Sequence, residues 1–225
     1  KDDFIKIGFK SENILIAPDG VDLEEFDIDI SKKDARIRIG LPSDRKIVMY
    51  AGHLFEWKGA GMLLKAARQC EDVLFVFVGG TDYDTERFRK KAEGLENVLV
   101  AGRKPHKEMP IYLKAADILV LPNSAKEEIS RSYTSPLKMF EYMASGRPII
   151  ASDLPSLREV LNENNAVFVA PDDPDSLVEG IKKIFNKDGL GDRISQQARS
   201  DVENYTWQKR AQKILDFLGF NATVI

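Results

Sequence analysis

Short apolar runs alternate with longer segments of mixed polarity along most of this chain. The run at Val73–Val78 (VLFVFV) is apolar at every position, and Lys46–Ala51 (KIVMYA) is apolar after its first residue. Continuous runs of this length are typical of parallel strands that are buried on both faces of a sheet. We predict strands at 13–17, 46–51, 73–78, 97–101, 117–121, 148–151 and 166–169.

The segments between these runs carry the helical pattern. Helices are predicted at 31–40, 59–69, 85–93, 107–115, 137–146 and 157–161, and the pattern is helical again from residue 173 to an amphipathic run that ends at Leu218. Strands that alternate with helices indicate a parallel sheet with helices on both faces. We therefore predict an α/β fold in which residues 1–225 form one domain.

Composition narrows the classes of function. The 225 residues are 43% hydrophobic, which is enough for one good core, and their formal net charge of −3 argues against a general nucleic-acid binder. Cys70 is the only cysteine, so there is no disulfide framework, and a reducing, cytoplasmic location is expected. No apolar run approaches the length of a membrane span. The first residue is Lys1 rather than Met, and we expect a fragment of a longer protein.

Residues 133–153 (YTSPLKMFEYMASGRPIIASD) combine a helix start, a helix, its stop signal and a buried strand. Ser135 is expected to cap the backbone N–H groups of the first turn. Pro136 suits the first helical position, because its missing N–H would have no partner there. Gly146 is the expected left-handed stop of the helix.

Two charged residues of this helix suggest a ligand. Lys138 lies in the first turn, where the helix dipole disfavours a cation, so an anion such as phosphate is expected to share the site. Glu141 lies three residues further on the same face, where it could accept hydrogen bonds from paired hydroxyls. A phosphate beside a diol describes a nucleotide. The alternative is an amphipathic helix with two solvated charges.

The loop after the strand at 46–51 repeats this arrangement. Its sequence, GHLFEWKG at 52–59, places Lys58 just before another helix, again the unfavourable end for a cation unless an anion is bound. Ligands of open parallel sheets bind at the carboxyl ends of the strands, where this loop is expected to lie. His53 in the same loop is either a weak cation for that anion or an ordinary hydrogen-bonded loop residue.

Two further loops follow strands at the same edge. Gly79-Gly80 permits a close approach of backbone to a ligand, but a simple turn explains it equally well. The loop of Arg103 is either a basic surface turn or part of a base-binding site. No G-x-x-x-x-G-K-[ST] loop and no G-x-G-x-x-G after a strand is present, so neither an ATPase loop nor a dinucleotide fingerprint is indicated.

The segment SPLKMFEYMASGRPIIASDLPSLREVL, residues 135–161, resembles the donor-binding motif of the family 4 (group 1) retaining glycosyltransferases. Enzymes of that family have the GT-B fold with two Rossmann-like halves, so the resemblance implies that this chain is the C-terminal, donor-binding half. PDGVD at 18–22 is similar to a family segment at the seam between the halves. The family commonly has a second glutamate near the transferred sugar, and this chain has Tyr133 there.

The resemblance also implies roles for individual residues. Glu141 would hold the ribose hydroxyls of a nucleoside-diphosphate sugar. Lys58 and His53, which stands where arginine is common, are the predicted catalytic residues, because they would stabilise charge on the β-phosphate. The donor-binding residues implied in this way are Gly52, Arg103, Ser135, Pro136, Leu137, Lys138 and Glu141, with the backbone amides of Leu137 and Lys138 on the diphosphate.

The implied reaction moves a sugar from the nucleotide donor to a glycan or lipid acceptor. Neither a cofactor nor an obligatory metal is expected, because GT-B enzymes generally hold the diphosphate with lysines, amides and a helix dipole. The alternatives are a non-catalytic nucleotide-sugar-binding or assembly subunit and a nucleotide-sugar epimerase of the same architecture.

The expected partners are the nucleotide-sugar donor and a missing N-terminal acceptor domain, with membrane association only through that missing half. The C-terminal helix from about residue 206 is expected to cross toward the missing domain. Its apolar residues should then be partly exposed, namely Trp207, Ile214, Leu215 and Phe217. The chain alone is expected to bind nucleotide weakly and to transfer little or no sugar.

Overall fold

The computed structural model describes residues 1–220, so the last five positions of the predicted 1–225 domain lie outside it. Its strands are β1 (Lys46–Ala51), β2 (Val73–Val78), β3 (Val98–Gly102), β4 (Ile118–Leu121), β5 (Ile149–Ser152) and β6 (Val167–Val169). They form one six-stranded sheet in the order β3-β2-β1-β4-β5-β6, with every neighbouring pair parallel. The strand order reverses between β1 and β4, which is where open α/β sheets form a ligand crevice.

Helices surround this sheet. In chain order they are α1 (Asp2–Lys6), α2 (Leu23–Phe26), α3 (Lys32–Arg38), α4 (Ala60–Ala67), α5 (Asp82–Lys91), α6 (Met109–Ala115), α7 (Glu128–Ser132), α8 (Leu137–Ser145), α9 (Pro155–Arg158), α10 (Pro174–Asn186), α11 (Leu190–Asp201) and α12 (Trp207–Phe217). Short 3₁₀ turns lie at Ser11–Asn13, Glu56–Lys58, His106–Glu108 and Val202–Asn204. Every helix within residues 1–220 is too short or too polar to cross a lipid bilayer.

Both faces of the sheet are buried, which explains the continuous apolar runs. Along β1, Ile47 and Met49 pack into the same core as α3, α6 and α8. Val48 and Tyr50 point the other way and share a second core with α4 and α10. Successive side chains of a strand alternate between faces, so a strand covered on both sides needs apolar residues at every position. The α/β, Rossmann-like prediction is confirmed.

The predicted strand at 13–17 is wrong. The 3₁₀ turn Ser11–Asn13 occupies its start, and the chain then runs as irregular structure to Ala17. The carbonyl of Ala17 accepts a hydrogen bond from Arg210 Nε of α12 at 3.2 Å instead of pairing with a strand. An apolar run forms a strand only where a neighbouring strand can satisfy its backbone groups, and this segment lies against a helix.

The predicted cap of α8 is also wrong. The residue that precedes the helix is Pro136, with an extended backbone (φ −79°, ψ 116°), and no side chain caps the first turn. The Ser135 hydroxyl lies one position too early and accepts a hydrogen bond from the Asp19 N–H at 3.2 Å. The stop signal is confirmed, because Gly146 ends the helix in the left-handed conformation (φ 67°). The helix start therefore keeps free amide groups.

Candidate functional site

A cleft of about 620 Å³ opens at the carboxyl ends of β1, β2 and β3 and beside α8. Five of the predicted site residues line it together, namely Gly52, His53, Arg103, Lys138 and Glu141. They come from two different loops and one helix, and the parallel sheet brings them together because its strands all end at the same edge.

The floor of this cleft is bare backbone. Gly52 and Gly79 both have positive φ (141° and 113°), which side chains rarely tolerate. A Cβ on Gly79 would lie 2.4 Å from the Gly52 carbonyl oxygen, so the ends of β1 and β2 approach each other too closely for any side chain there. The glycines at 79 and 80 therefore do more than make a turn, since both line the cleft.

The Lys138 amine is the most unusual group in the cleft. Its Nζ atom is buried, has no hydrogen-bond partner among residues 1–220, and lies 4.1 Å from the centroid of the Tyr50 ring. Burial lowers the pKa of Lys138 well below the usual range for lysine, the charge of Lys58 lowers it further, and the Glu141 carboxylate opposes this. Burying an amine without an anion is costly, and strongly shifted pKa values of this kind cluster at functional sites.

Lys58, the second predicted cation, does not line this cleft, but its charge lowers the pKa of Lys138. Its side chain is half-buried, with Nζ lying 3.9 Å from the centroid of the Trp57 ring. Burial lowers the pKa of Lys58 as well. Lys58 and Lys138 repel each other, and both are at least partly shielded from water. Together they produce a region of positive potential at this edge of the sheet.

Glu141 is held by a residue that the sequence analysis did not select. Its carboxylate is only 18% exposed, and Oε1 lies 3.1 Å from Nε2 of His106. His106 begins the 3₁₀ turn that follows the Arg103 loop, so its place after β3 is a signal that could have identified it. Arg103 itself is exposed at the rim of the cleft.

His53 lines the cleft without an ion-pair partner among residues 1–220. Its ring stacks on Phe55, with the two centroids 4.9 Å apart and the planes 1° from parallel. Its backbone carbonyl accepts a hydrogen bond from the Tyr50 hydroxyl at 2.5 Å. The loop is thus fixed by contacts of its own, and the imidazole faces the same space as Lys138.

The remaining predicted residues surround the cleft rather than line it. Leu137 lies in a neighbouring pocket of about 370 Å³, which shares Glu141 and His106 with the main cleft. Ser135 contacts Asp19, and Pro136 is buried at the helix start. Tyr133 is exposed and donates a hydrogen bond to the Asp3 carboxylate at 2.8 Å. Within residues 1–220, no three His, Cys, Asp or Glu side chains come together in a way that could hold a metal ion.

The Tyr142 hydroxyl supports the cleft from below. It accepts a hydrogen bond from the Ala51 N–H at 2.7 Å and lies 3.2 Å from the Ala51 carbonyl oxygen, so it secures the end of β1 just before Gly52. Burial raises the pKa of Tyr142. Tyr142→Phe is expected to lower the free energy of unfolding by about 1–2 kcal/mol, because the Ala51 amide is left buried without a partner. Urea denaturation measures this.

Tyr83→Phe is the matched control for that substitution. Tyr83 is 70% exposed, so removing its hydroxyl should leave the denaturation midpoint unchanged. Equal midpoints for Tyr142→Phe and the unsubstituted chain would contradict the proposed support of β1.

Three comparisons identify proteins with a similar sequence or fold. The family model described as "Glycosyl transferases group 1" matches residues 31–201. The chain is 26% identical over 229 residues to a D-inositol 3-phosphate glycosyltransferase of Xylanimonas cellulosilytica, covering 96% of this chain and 53% of that protein. It is 28% identical over 205 residues to a phosphatidyl-myo-inositol mannosyltransferase of Mycobacterium leprae, covering 88% and 51%.

Solved structures share the fold. HepE of Anabaena in complex with UDP superposes with a TM-score of 0.82 at 20% identity, over 96% of this chain and 60% of HepE. The chain spans about half the length of the curated relatives it matches. The family model covers most of the chain, including the loop of Lys58, the loop of Arg103 and all of α8. The chain therefore belongs to the group 1 glycosyl transferase family.

Proposed function

We propose that this chain is the donor-binding half of a retaining glycosyltransferase that takes a sugar from a nucleoside diphosphate. The observation that carries the proposal is the amine of Lys138 at the start of α8, which is buried without a hydrogen-bond partner among residues 1–220 and whose pKa the charge of Lys58 lowers further. A diphosphate would supply the negative charge that this site needs. UDP bound to HepE, a protein of the same fold, makes a nucleoside diphosphate the first ligand to test.

The diphosphate would be held by preorganised positive groups. The amides of Leu137 and Lys138 lie at the start of a nine-residue helix without a side-chain cap, so they and the helix dipole favour an anion there. Lys58 and His53 would face the same anion from the β1 loop. We propose no obligatory metal, since these groups supply the positive charge that a metal would otherwise bring.

The reaction releases the nucleoside diphosphate, so negative charge grows on the β-phosphate as the bond to the sugar breaks. Groups that already point at this oxygen stabilise the transition state more than the ground state. Lys58, His53 and the α8 amides would act in this way. Glu141, one turn deeper on α8 than Lys138, would accept hydrogen bonds from the ribose hydroxyls and so set the position of the nucleotide.

The acceptor would be bound by a second domain. The chain covers about half of its relatives, and α12 has no buried residue, with Trp207 40% and Phe217 43% exposed. Ile214 and Leu215 are half-buried. The start of α12 is nonetheless held on this domain, because the Val21 N–H donates to the Tyr205 carbonyl at 2.9 Å. An apolar helix face left open in this way suits packing against another domain.

Calorimetric titration of the chain with UDP, GDP and ADP tests the proposal. We expect one of them to bind, and we expect Lys58→Ala and Glu141→Ala each to weaken it about 10-fold, the loss of one charged hydrogen-bond group. Lys65→Ala is the matched control, because Lys65 is an exposed lysine of α4 and should leave affinity unchanged.

Two other functions remain as alternatives. With Tyr133 at the position of the usual sugar-side glutamate, the chain could serve a non-catalytic nucleotide-sugar-binding or assembly subunit, and an epimerase of the same architecture would use the same nucleotide site. Transfer of labelled sugar by the whole protein, with the anomeric configuration read by NMR, separates them. Nucleotide binding without transfer or hydrolysis would favour the binding subunit. Failure of all three nucleotides to bind at millimolar concentration would contradict a donor site in this domain.

A further inference from the structure

His106 connects the cleft to helix α2, which follows the segment that contacts the start of α12. Its Nε2 atom lies 3.1 Å from Oε1 of Glu141, and its Nδ1 atom lies 3.6 Å from Oε2 of Glu25 on α2. The edge of the ring also meets Phe26, with the centroids 6.5 Å apart. One imidazole thus touches two carboxylates that come from different helices.

We propose that His106 is a positioning residue, which holds the Glu141 carboxylate in place for the ribose and is itself held by Glu25. This inference rests on the proposed nucleotide-binding function of the cleft. Glu141 is largely buried and His106 is its only side-chain hydrogen-bond partner among residues 1–220, so the imidazole decides where the carboxylate oxygens point. Glu25 does not line the main cleft, and it contacts His106 from the neighbouring small pocket.

The chemistry of imidazole makes this contact sensitive to pH. A neutral ring has one N–H, which can point to Glu141 or to Glu25 but not to both, whereas a protonated ring has an N–H on each side and a positive charge that both carboxylates attract. Histidine is the side chain that changes charge between about pH 5 and 8. His106, Glu141 and Glu25 thus form a three-residue bridge, in which the contact with Glu25 is an ion pair only in the protonated form of the ring.

Other charged groups around the ring do not replace this bridge. Glu25 of α2 and Glu141 of α8 are the acidic side chains in direct contact with His106. Asp22, the cap of α2, lines the same small pocket, but its carboxylate accepts a hydrogen bond from the Glu24 N–H. On the side of the main cleft the other charged side chains of the lining are Asp82 from α5, Arg103 and Lys104 from the preceding loop, and Lys138 from α8.

The bridge also links the cleft to the place where residues 18–22 contact the start of α12. Helix α2 follows directly on the turn at residues 18–22, whose Val21 pairs with Thr206 at the start of α12. If the contact between residues 18–22 and α12 shifted, Glu25 would move with it. Through His106, this movement would also displace the Glu141 carboxylate in the cleft. His106 is thereby placed to relate the position of α2 to the affinity for nucleotide.

The test measures the affinity of the chain for UDP, GDP and ADP at pH 6 and pH 8, with and without His106→Gln. Glutamine stays neutral, so the ratio of the two affinities isolates the imidazole from the titration of the phosphate itself. We expect His106→Gln to weaken binding about 3-fold at pH 8 and about 10-fold at pH 6. Lys107→Gln, an exposed neighbour on the same turn, is the control and should have no effect at either pH.

Glu25→Gln distinguishes positioning from a direct contact of His106 with the nucleotide. It should weaken binding at pH 6 in the presence of His106 and have no further effect when combined with His106→Gln, because both act through one bridge. The inference fails while the proposed function stands if nucleotide binds and Glu141→Ala weakens that binding, but His106→Gln does not weaken it at either pH. Equal losses at both pH values also overturn it. If no nucleotide binds to the unsubstituted chain, both fail together.

Discussion

Replacing Lys138 by methionine is expected to strengthen the fold and to weaken nucleotide binding in the same protein. The Lys138 amine is buried without a hydrogen-bond partner among residues 1–220, and methionine keeps a flexible side chain of similar length without the polar group. We expect the free energy of unfolding to rise by about 1–3 kcal/mol, the cost of an unsatisfied buried polar group. We expect nucleoside diphosphate affinity to fall about 10- to 100-fold, the loss of one or more charged hydrogen bonds.

The pH dependence of both quantities follows from the lowered pKa of Lys138. Between that folded pKa and the usual lysine value, the unfolded chain binds more protons, so the stability contributed at this position rises with pH. A bound diphosphate raises the pKa again, so binding takes up a proton in this window and affinity falls as pH rises. Lys138→Met should remove both dependences.

Denaturation with urea and calorimetry in two buffers of different ionisation enthalpy measure these effects. Lys65→Met is the matched control, because Lys65 is exposed on α4 and should change neither stability nor binding. A Lys138→Met chain that is less stable than the original and binds nucleotide equally well would mean that the amine is structural.

Gly59→Ala is expected to cause the largest loss of stability in the chain. Gly59 has φ +75°, and a Cβ there would lie 1.6 Å from the carbonyl oxygen of Pro122, just after β4. The left-handed backbone alone disfavours alanine, and the contact with a backbone atom cannot be relieved by a side-chain rotation. We expect the free energy of unfolding to fall by about 3–5 kcal/mol, the combined cost of strain and overpacking.

Function should suffer in the same variant, because Gly59 joins the 3₁₀ turn that carries Lys58 to α4. The folded fraction of Gly59→Ala is expected to bind nucleotide more weakly than the original chain. Gly61→Ala provides the control two residues further, since its Cβ meets nothing within 4 Å and the position is helical. It should raise stability by about 0.5–1 kcal/mol. Thermal denaturation distinguishes the two, and similar melting temperatures would contradict the observed packing of this loop on Pro122.

Local pattern was sufficient for most elements of the fold. Strands β1 and β2 have the bounds that their apolar runs predicted, and Gly146 ends α8 as expected. These features depend on residues that are neighbours in sequence. The strands need an apolar residue at every position, and the helix end needs a residue that adopts the left-handed backbone conformation. The segment at 13–17 failed for the complementary reason, because its partner is a helix that lies almost 200 residues away in the chain.

Some features of the candidate site were likewise predictable from local sequence, and others depended on distant contacts. The placement of Lys58 and Lys138 at helix starts led to the prediction of a shared anion site, and in the structure the two lysines are near enough for the charge of one to lower the pKa of the other. His106 was missed because its contacts with Glu141 and Glu25 span 35 and 81 positions, respectively, by residue number. Ser135 was misassigned because Asp19 competes for its hydroxyl.

The sequence by itself determined the α/β class, the approximate positions of the six strands, the family and the edge of the sheet at which charged residues gather. Each of these follows from local periodicity, helix-end chemistry and a contiguous motif. Only the tertiary structure decided that the Lys138 amine is buried without a hydrogen-bond partner in the described part of the chain, that Gly59 lies against Pro122 and that His106 joins two carboxylates. Burial and distant contacts depend on how separate elements pack, and no spacing along the chain encodes them.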